Sequence, residues 1–144
     1  MPDIFISYRR SDSQFETWQM YRLLSDLFGV DNVFLDVADI DKGDDFGVTQ
    51  LAAVRSARVV LVVIGDRWLT ATDSAGRRRL DNPDDNVLQE VRTALDRPDT
   101  TTIPVFLYPV TGLPKDDLPP SIRQLASRNG HAIRPLKDLD RDMD

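Results

Sequence analysis

Two rhythms of hydrophobic and polar positions alternate along the chain. DIFISY (3–8) is β-branched and aromatic and predicts a short buried strand. SQFETWQMYRLLSDLFG (13–29) sets Phe15, Trp18, Leu24, Leu27 and Phe28 at helical spacing, with Gly29 suited to the C-cap. NVFLD (32–36) predicts a second strand and DDFGVTQLAAVRSA (44–57) a second amphipathic helix. RVVLVVIG (58–65) is apolar without alternation, the mark of a central parallel strand covered on both faces. NPDDNVLQEVRTAL (82–95) predicts a third helix. Asn82 is its expected N-cap, Pro83 its first residue, and Asp84 and Asp85 lie at the positive end of its dipole. TTIPVFLY (101–108) reads as a fourth strand, with Pro104 directing it to a sheet edge or marking a strand start. LPPSIRQLASRNG (118–130) predicts a short helix closed by Gly130, and HAIRP (131–135) a weak last strand.

Strands alternating with helices imply right-handed crossovers and an α/β, doubly wound parallel sheet. No internal repeat or low-complexity linker interrupts the pattern, and 144 residues suit one domain with a real core. In such sheets ligands bind beyond the carboxyl ends of the strands, near the switch in strand order. YRRSD (8–12), DVADIDKGDDF (36–46) and GDRW (65–68) should therefore meet at one edge, beside the start of the third helix.

Composition then narrows the chemistry. A net charge of −6 opposes broad binding to nucleic acid or anionic membranes, so an anionic ligand needs a local arginine cluster. No run of 18 apolar residues exists and MPDIFISYRR lacks signal-peptide architecture, which points to the cytoplasm. The absence of cysteine removes disulfides, thiolate metal sites and a cysteine nucleophile. The seven glycines form neither GxGxxG nor GxxxxGK. The single histidine, His131, argues against a Ser–His–Asp triad or a zinc site. The acids from Asp36 to Asp45 fail the calcium-loop spacing, because counting from Asp39 puts Gly43 one position early. No metal site is expected. A phosphoacceptor receiver domain shares the topology but needs acids after the first strand, where Ser7, Tyr8, Arg9 and Arg10 stand.

One residue breaks the pattern of the third helix. Val87, Leu88, Val91, Ala94 and Leu95 form its apolar stripe, and Glu90 lies on the edge of that stripe. Its i+3 and i+4 neighbours, Thr93 and Ala94, supply no positive charge.

DIFISYRRSDS, VFLDVADIDKGDDF, ARVVLVVIGDRWL, NVLQEVRTAL and TTIPVFL, in that order and spacing, resemble the successive boxes of the TIR (Toll/interleukin-1 receptor) domain. GDRWL and RLDNPDD resemble its bacterial branch most. The resemblance runs from residue 3 to about 134. It implies a flavodoxin-like three-layer fold with a five-stranded parallel sheet, and a final helix after the fifth strand. PLKDLDRDMD ends the chain where that helix would begin, so residues 1–144 are expected to be a single TIR domain with the final helix truncated, the N-terminal part of a longer chain.

The resemblance also implies a function. NAD+-cleaving TIR domains carry a catalytic glutamate on this helix, and Glu90 matches its place. One carboxylate suffices for such chemistry, because nicotinamide leaves as a neutral molecule and needs no general acid, unlike the leaving group of an ordinary glycosidase. The carboxylate can stabilise an oxocarbenium-like transition state. Arg9 and Arg10 match a pair set against the dinucleotide, with Tyr8 beside them, and Asp36 and Asp41 match acids lining the pocket. Asn86 stands where many NAD+-cleaving members carry tryptophan. It lacks that stacking surface but can hydrogen-bond a ribose or amide. Trp68 reads as a packing residue of its loop, Phe46 falls outside the site, and Arg77–Arg78–Arg79 reads as a solvated loop or partner contact. NAD+ is then a substrate rather than a cofactor. The expected partners are NAD+ and other TIR domains through homo-oligomerisation, with no nucleic acid and no membrane, in antiphage signalling. The alternative is a non-catalytic TIR–TIR interaction module.

Overall fold

The computed structural model describes residues 3–35 and 46–133. Strands β1 (Ile4–Ser7), β2 (Val33–Leu35), β3 (Val59–Ile64), β4 (Thr101–Leu107) and β5 (His131–Ile133) form one parallel sheet in the order β2-β1-β3-β4-β5. Helices α1 (Arg10–Phe28), α2 (Phe46–Ser56) and α3 (Asn86–Leu95) connect the first four strands. The step from β1 to β2 runs one way across the sheet, and every later step runs the other. Right-handed crossovers then put α1 on one face and α2 and α3 on the opposite face. The two cores follow that division. Phe5, Val60 and Val62 pack with Val54, Val91 and Ala94 of α2 and α3. Ile6 and Val63 pack with Met20 and Leu24 of α1. The fully apolar β3 is the central strand, as its lack of alternation requires.

Four local expectations need correction. The buried face of α1 is Ser13, Thr17, Met20 and Leu24, whereas Phe15, Trp18, Leu27 and Phe28 are exposed. Both stripes have helical spacing, and small residues at 13 and 17 let the helix lie close to the sheet. Helix α3 starts at Asn86 with Asp85 as N-cap. Asn82 instead accepts from the Asp84 N–H at 3.0 Å, closing an Asx turn ahead of the helix. Pro104 lies in an interior strand. β5 pairs only with Val105–Leu107, so beside Pro104 that flank of β4 has no ladder bond to lose. Residues Pro120–Ser127 wind as a 3-10 helix that ends before Gly130. Gly130 serves close packing: a Cβ there would lie 2.4 Å from Phe106 Cε2. Gly29 does close α1, at φ +93°, with its N–H donating to Ser25 O at 2.9 Å. The expected final helix and most of the acidic loop lie outside the described residues.

Candidate functional site

The strand order reverses between β1 and β3, so their carboxyl ends open the crevice where α/β sheets bind ligands. Alternation along β1 puts Phe5 and Ser7 on the α2/α3 face and Ile6 and Tyr8 toward α1. Ser7, the last residue of β1, is thereby the first polar side chain beyond the core on the α3 side.

Glu90 meets it there. Only 1% of Glu90 is exposed, so the carboxylate is a buried group and not a margin residue. Ser7 Oγ donates to Oε1 at 2.8 Å, and Gln50 Nε2 donates to Oε2 at 3.0 Å. The helix offers Glu90 no basic neighbour at i+3 or i+4, but the tertiary fold gives each oxygen a donor, one from β1 and one from α2. Two bonds to opposite oxygens fix the plane of the carboxylate as well as its position.

Two residues further on, Arg9 is 4% exposed and extended in backbone conformation. Its Nη1 and Nη2 donate to Asp85 Oδ1 and Oδ2 at 3.0 and 2.9 Å, a bidentate buried ion pair. Asp85 Oδ2 also accepts from the Leu88 N–H at 3.0 Å, which caps α3. Arg9 and Arg10 therefore part ways. Arg9 turns inward to α3, and Arg10, the first residue of α1, is exposed.

A third contact joins the β1 and β3 edges. Asp12 accepts from the Gly65 and Arg67 N–H groups, both at 2.7 Å. Burial pushes the Asp12 carboxyl above the ordinary aspartate range, against the two backbone donors that favour its ionised form. Gly65 is needed for this approach, since a Cβ would stand 2.7 Å from Asp12 Oδ1. Trp68, one turn beyond, is fully buried in the α2/α3 core, consistent with a packing role.

Of the expected site residues, the structure gathers Glu90 and Arg9 at the end of β1. Tyr8 is buried in the other core, on the opposite face of the sheet from Glu90. Asn86 is exposed at the first turn of α3, and Asp36 and Asp41 lie outside the described residues. Ser7, Gln50, Asp85 and Asp12 were absent from the expected set. Gln50 had a readable signal, for it occupies the i position of the buried stripe Gln50, Ala53, Val54, Ala57. Among the described residues no group of three His, Cys, Asp or Glu side chains could hold a metal.

Residues 4–138 match the family model of the TIR domain. The chain belongs to the TIR family. No curated protein matches it. Among solved structures, this TIR domain is similar to the TIR domains of the activated Roq1 resistosome that recognises the pathogen effector XopQ. The TM-score there is 0.65 at 14% identity, over 92% of this chain and 88% of that one. It is also similar to a metazoan TIR-STING receptor from C. gigas in complex with 2′,3′-cGAMP, at TM-score 0.54 and 20% identity. All of this chain is covered in that match, but it spans 38% of the receptor chain. At these identities the likeness is one of fold. Among the described residues no helix is long and apolar enough to cross a membrane.

Proposed function

We propose that this TIR domain cleaves the nicotinamide–ribose bond of NAD+, with Glu90 as the catalytic carboxylate. The observation that carries the reading is Glu90 itself: a carboxylate removed from water at the switch edge of the sheet and held through both oxygens by Ser7 and Gln50. Desolvation and fixed orientation are what electrostatic stabilisation of a developing cation requires. The bond from ribose C1′ to the pyridinium nitrogen breaks with its electron pair going to nitrogen, which leaves as neutral nicotinamide. Glu90 stabilises the positive charge growing on the ribose. Water adds to C1′ and loses a proton to give ADP-ribose; attack by an adenine nitrogen, with loss of a proton, gives a cyclic product instead. A ribose hydroxyl can take over the place of Gln50 as donor to Oε2, so substrate entry and the loss of that bond are one event.

Arg10 is an exposed cation of the edge and our candidate for the pyrophosphate. Asn86, exposed at the first turn of α3, is proposed as a polar contact to ribose or amide, and Asp36 and Asp41 remain proposed pocket acids. The buried state of Glu90 implies that activity needs a rearrangement, which we assign to self-assembly with other TIR domains in the cytoplasm. The bacterial resemblance of GDRWL and RLDNPDD supports a role in antiphage signalling. One observation favours the second reading, a TIR–TIR module without chemistry: both Glu90 oxygens already have donors, as a purely structural buried carboxylate would. Incubating concentrated protein with NAD+ and separating the products by chromatography decides between them. Release of nicotinamide supports the enzyme, and intact NAD+ at every protein concentration supports the module.

A further inference from the structure

Two polar contacts fasten α3 to the end of β1, and their spacings match. Ser7 to Arg9 is two extended residues, about 6.6 Å. Glu90 back to Asp85 is five helical residues, about 7.5 Å. The chain directions are opposed, as a helix returning over a parallel strand requires. Ser7–Glu90 joins the last residue of β1 to the middle of α3, and Arg9–Asp85 joins the residue before α1 to the N-cap of α3, so the two act as rivets along one seam. The apolar stripe and Gln50 hold the middle of α3, and Arg9–Asp85 adds a second polar contact at its N-terminal end.

The Asp85 carboxylate has a double role that makes the second rivet specific. One of its oxygens starts α3 by capping the Leu88 N–H, and both oxygens receive the Arg9 fork. The helix origin is therefore tied to the segment that follows β1, in addition to the Asp85 N–H bond to Asn82 O in the preceding turn. Both side chains are buried, so this pair is held away from solvent screening.

Resting on the NAD+-cleaving reading, we infer that Arg9 and Asp85 are positioning residues for Glu90, and that Arg9 acts through the helix rather than as a ligand of the dinucleotide phosphates. The two roles separate kinetically. A misplacement of about 1 Å costs up to roughly 100-fold in rate without weakening substrate binding. Loss of a phosphate contact weakens binding.

The test is kcat and KM for NAD+ in the wild type, Asp85→Asn and Arg9→Lys, each assayed below its own melting temperature. Asp85→Asn keeps an N-cap oxygen while removing the charge that holds Arg9. Arg9→Lys keeps the charge and loses the fork. Positioning predicts that both variants lose about 10- to 100-fold in kcat with KM within about twofold of the wild type. A rise in KM larger than the fall in kcat for Arg9→Lys would overturn it. So would a fall in KM for Asp85→Asn, the sign of a freed arginine gaining the substrate, or unchanged kinetics in both. An inactive wild type defeats the NAD+-cleaving reading together with this role, whereas an active wild type with unaltered variants defeats this role alone.

Discussion

Ser7 Oγ and Glu90 Oε1 are 2.8 Å apart although 83 residues separate them in sequence. This bond joins the last residue of the first strand to the middle of α3, and it exists because alternation along β1 turns Ser7 toward the layer that holds α3. With Gln50 on the other oxygen, it makes Glu90 part of the packing between β1, α2 and α3.

That dual position predicts different stabilities for two substitutions. Glu90→Ala leaves Ser7 Oγ and Gln50 Nε2 without their acceptor and opens a void, and should cost about 2–4 kcal/mol. Glu90→Gln can accept from Gln50 through its oxygen and donate from its amide to Ser7, whose hydroxyl rotates to accept. It should cost about 1 kcal/mol or less. Urea unfolding of both variants measures the difference, and equal stability would contradict the buried network.

Asp12 gives a pH signature. Its carboxyl titrates above the usual 3.8 chiefly because it is buried. A raised folded-state value means the neutral form contributes stability that is fully present below about pH 3.8 and lost as pH rises through the folded value. The stability of the wild type relative to Asp12→Asn should therefore fall as pH increases from 3.8 and then level off. Paired urea titrations between about pH 3 and 7 test this, and a wild type that gains on the variant over that window would contradict it.

Arg10 is exposed at the start of α1, with its neighbour Arg9 turned inward. A charged hydrogen bond to phosphate contributes about 1.5–3 kcal/mol, so Arg10→Ala should raise KM for NAD+ by about 10- to 150-fold with stability unchanged. Steady-state kinetics and a melting curve measure both. Unaltered KM would remove Arg10 from the binding edge.

Much of this architecture is legible in the sequence because strong local patterns coincide with tertiary demand. The unbroken apolar run of β3 can only be a central strand, and Gly29 ends α1 where its φ of +93° requires glycine. The misassigned face of α1 has a simple cause, which is that spacing names a period without naming a direction. Phe15 and Trp18 have the same helical rhythm as Thr17 and Met20, and only the sheet decides which pair it buries. The site followed the same rule. Glu90 stood out because nothing along its helix could pair with it, yet its partners, Ser7 and Gln50, are supplied by other elements at sequence separations of 83 and 40. Arg9 and Arg10 are adjacent and chemically identical, and only Asp85 across the fold distinguishes them.

A Glu90 that does chemistry and a Glu90 that merely holds α3 in place differ in what its amide variant leaves behind. The most direct measurement is nicotinamide release from NAD+ by wild type and Glu90→Gln, at matched concentration and with melting temperatures recorded for both. A catalytic Glu90 predicts turnover by the wild type, loss of at least about 100-fold in the variant, and melting temperatures within a few degrees. Turnover by Glu90→Gln at the wild-type rate, with the fold intact, would contradict it.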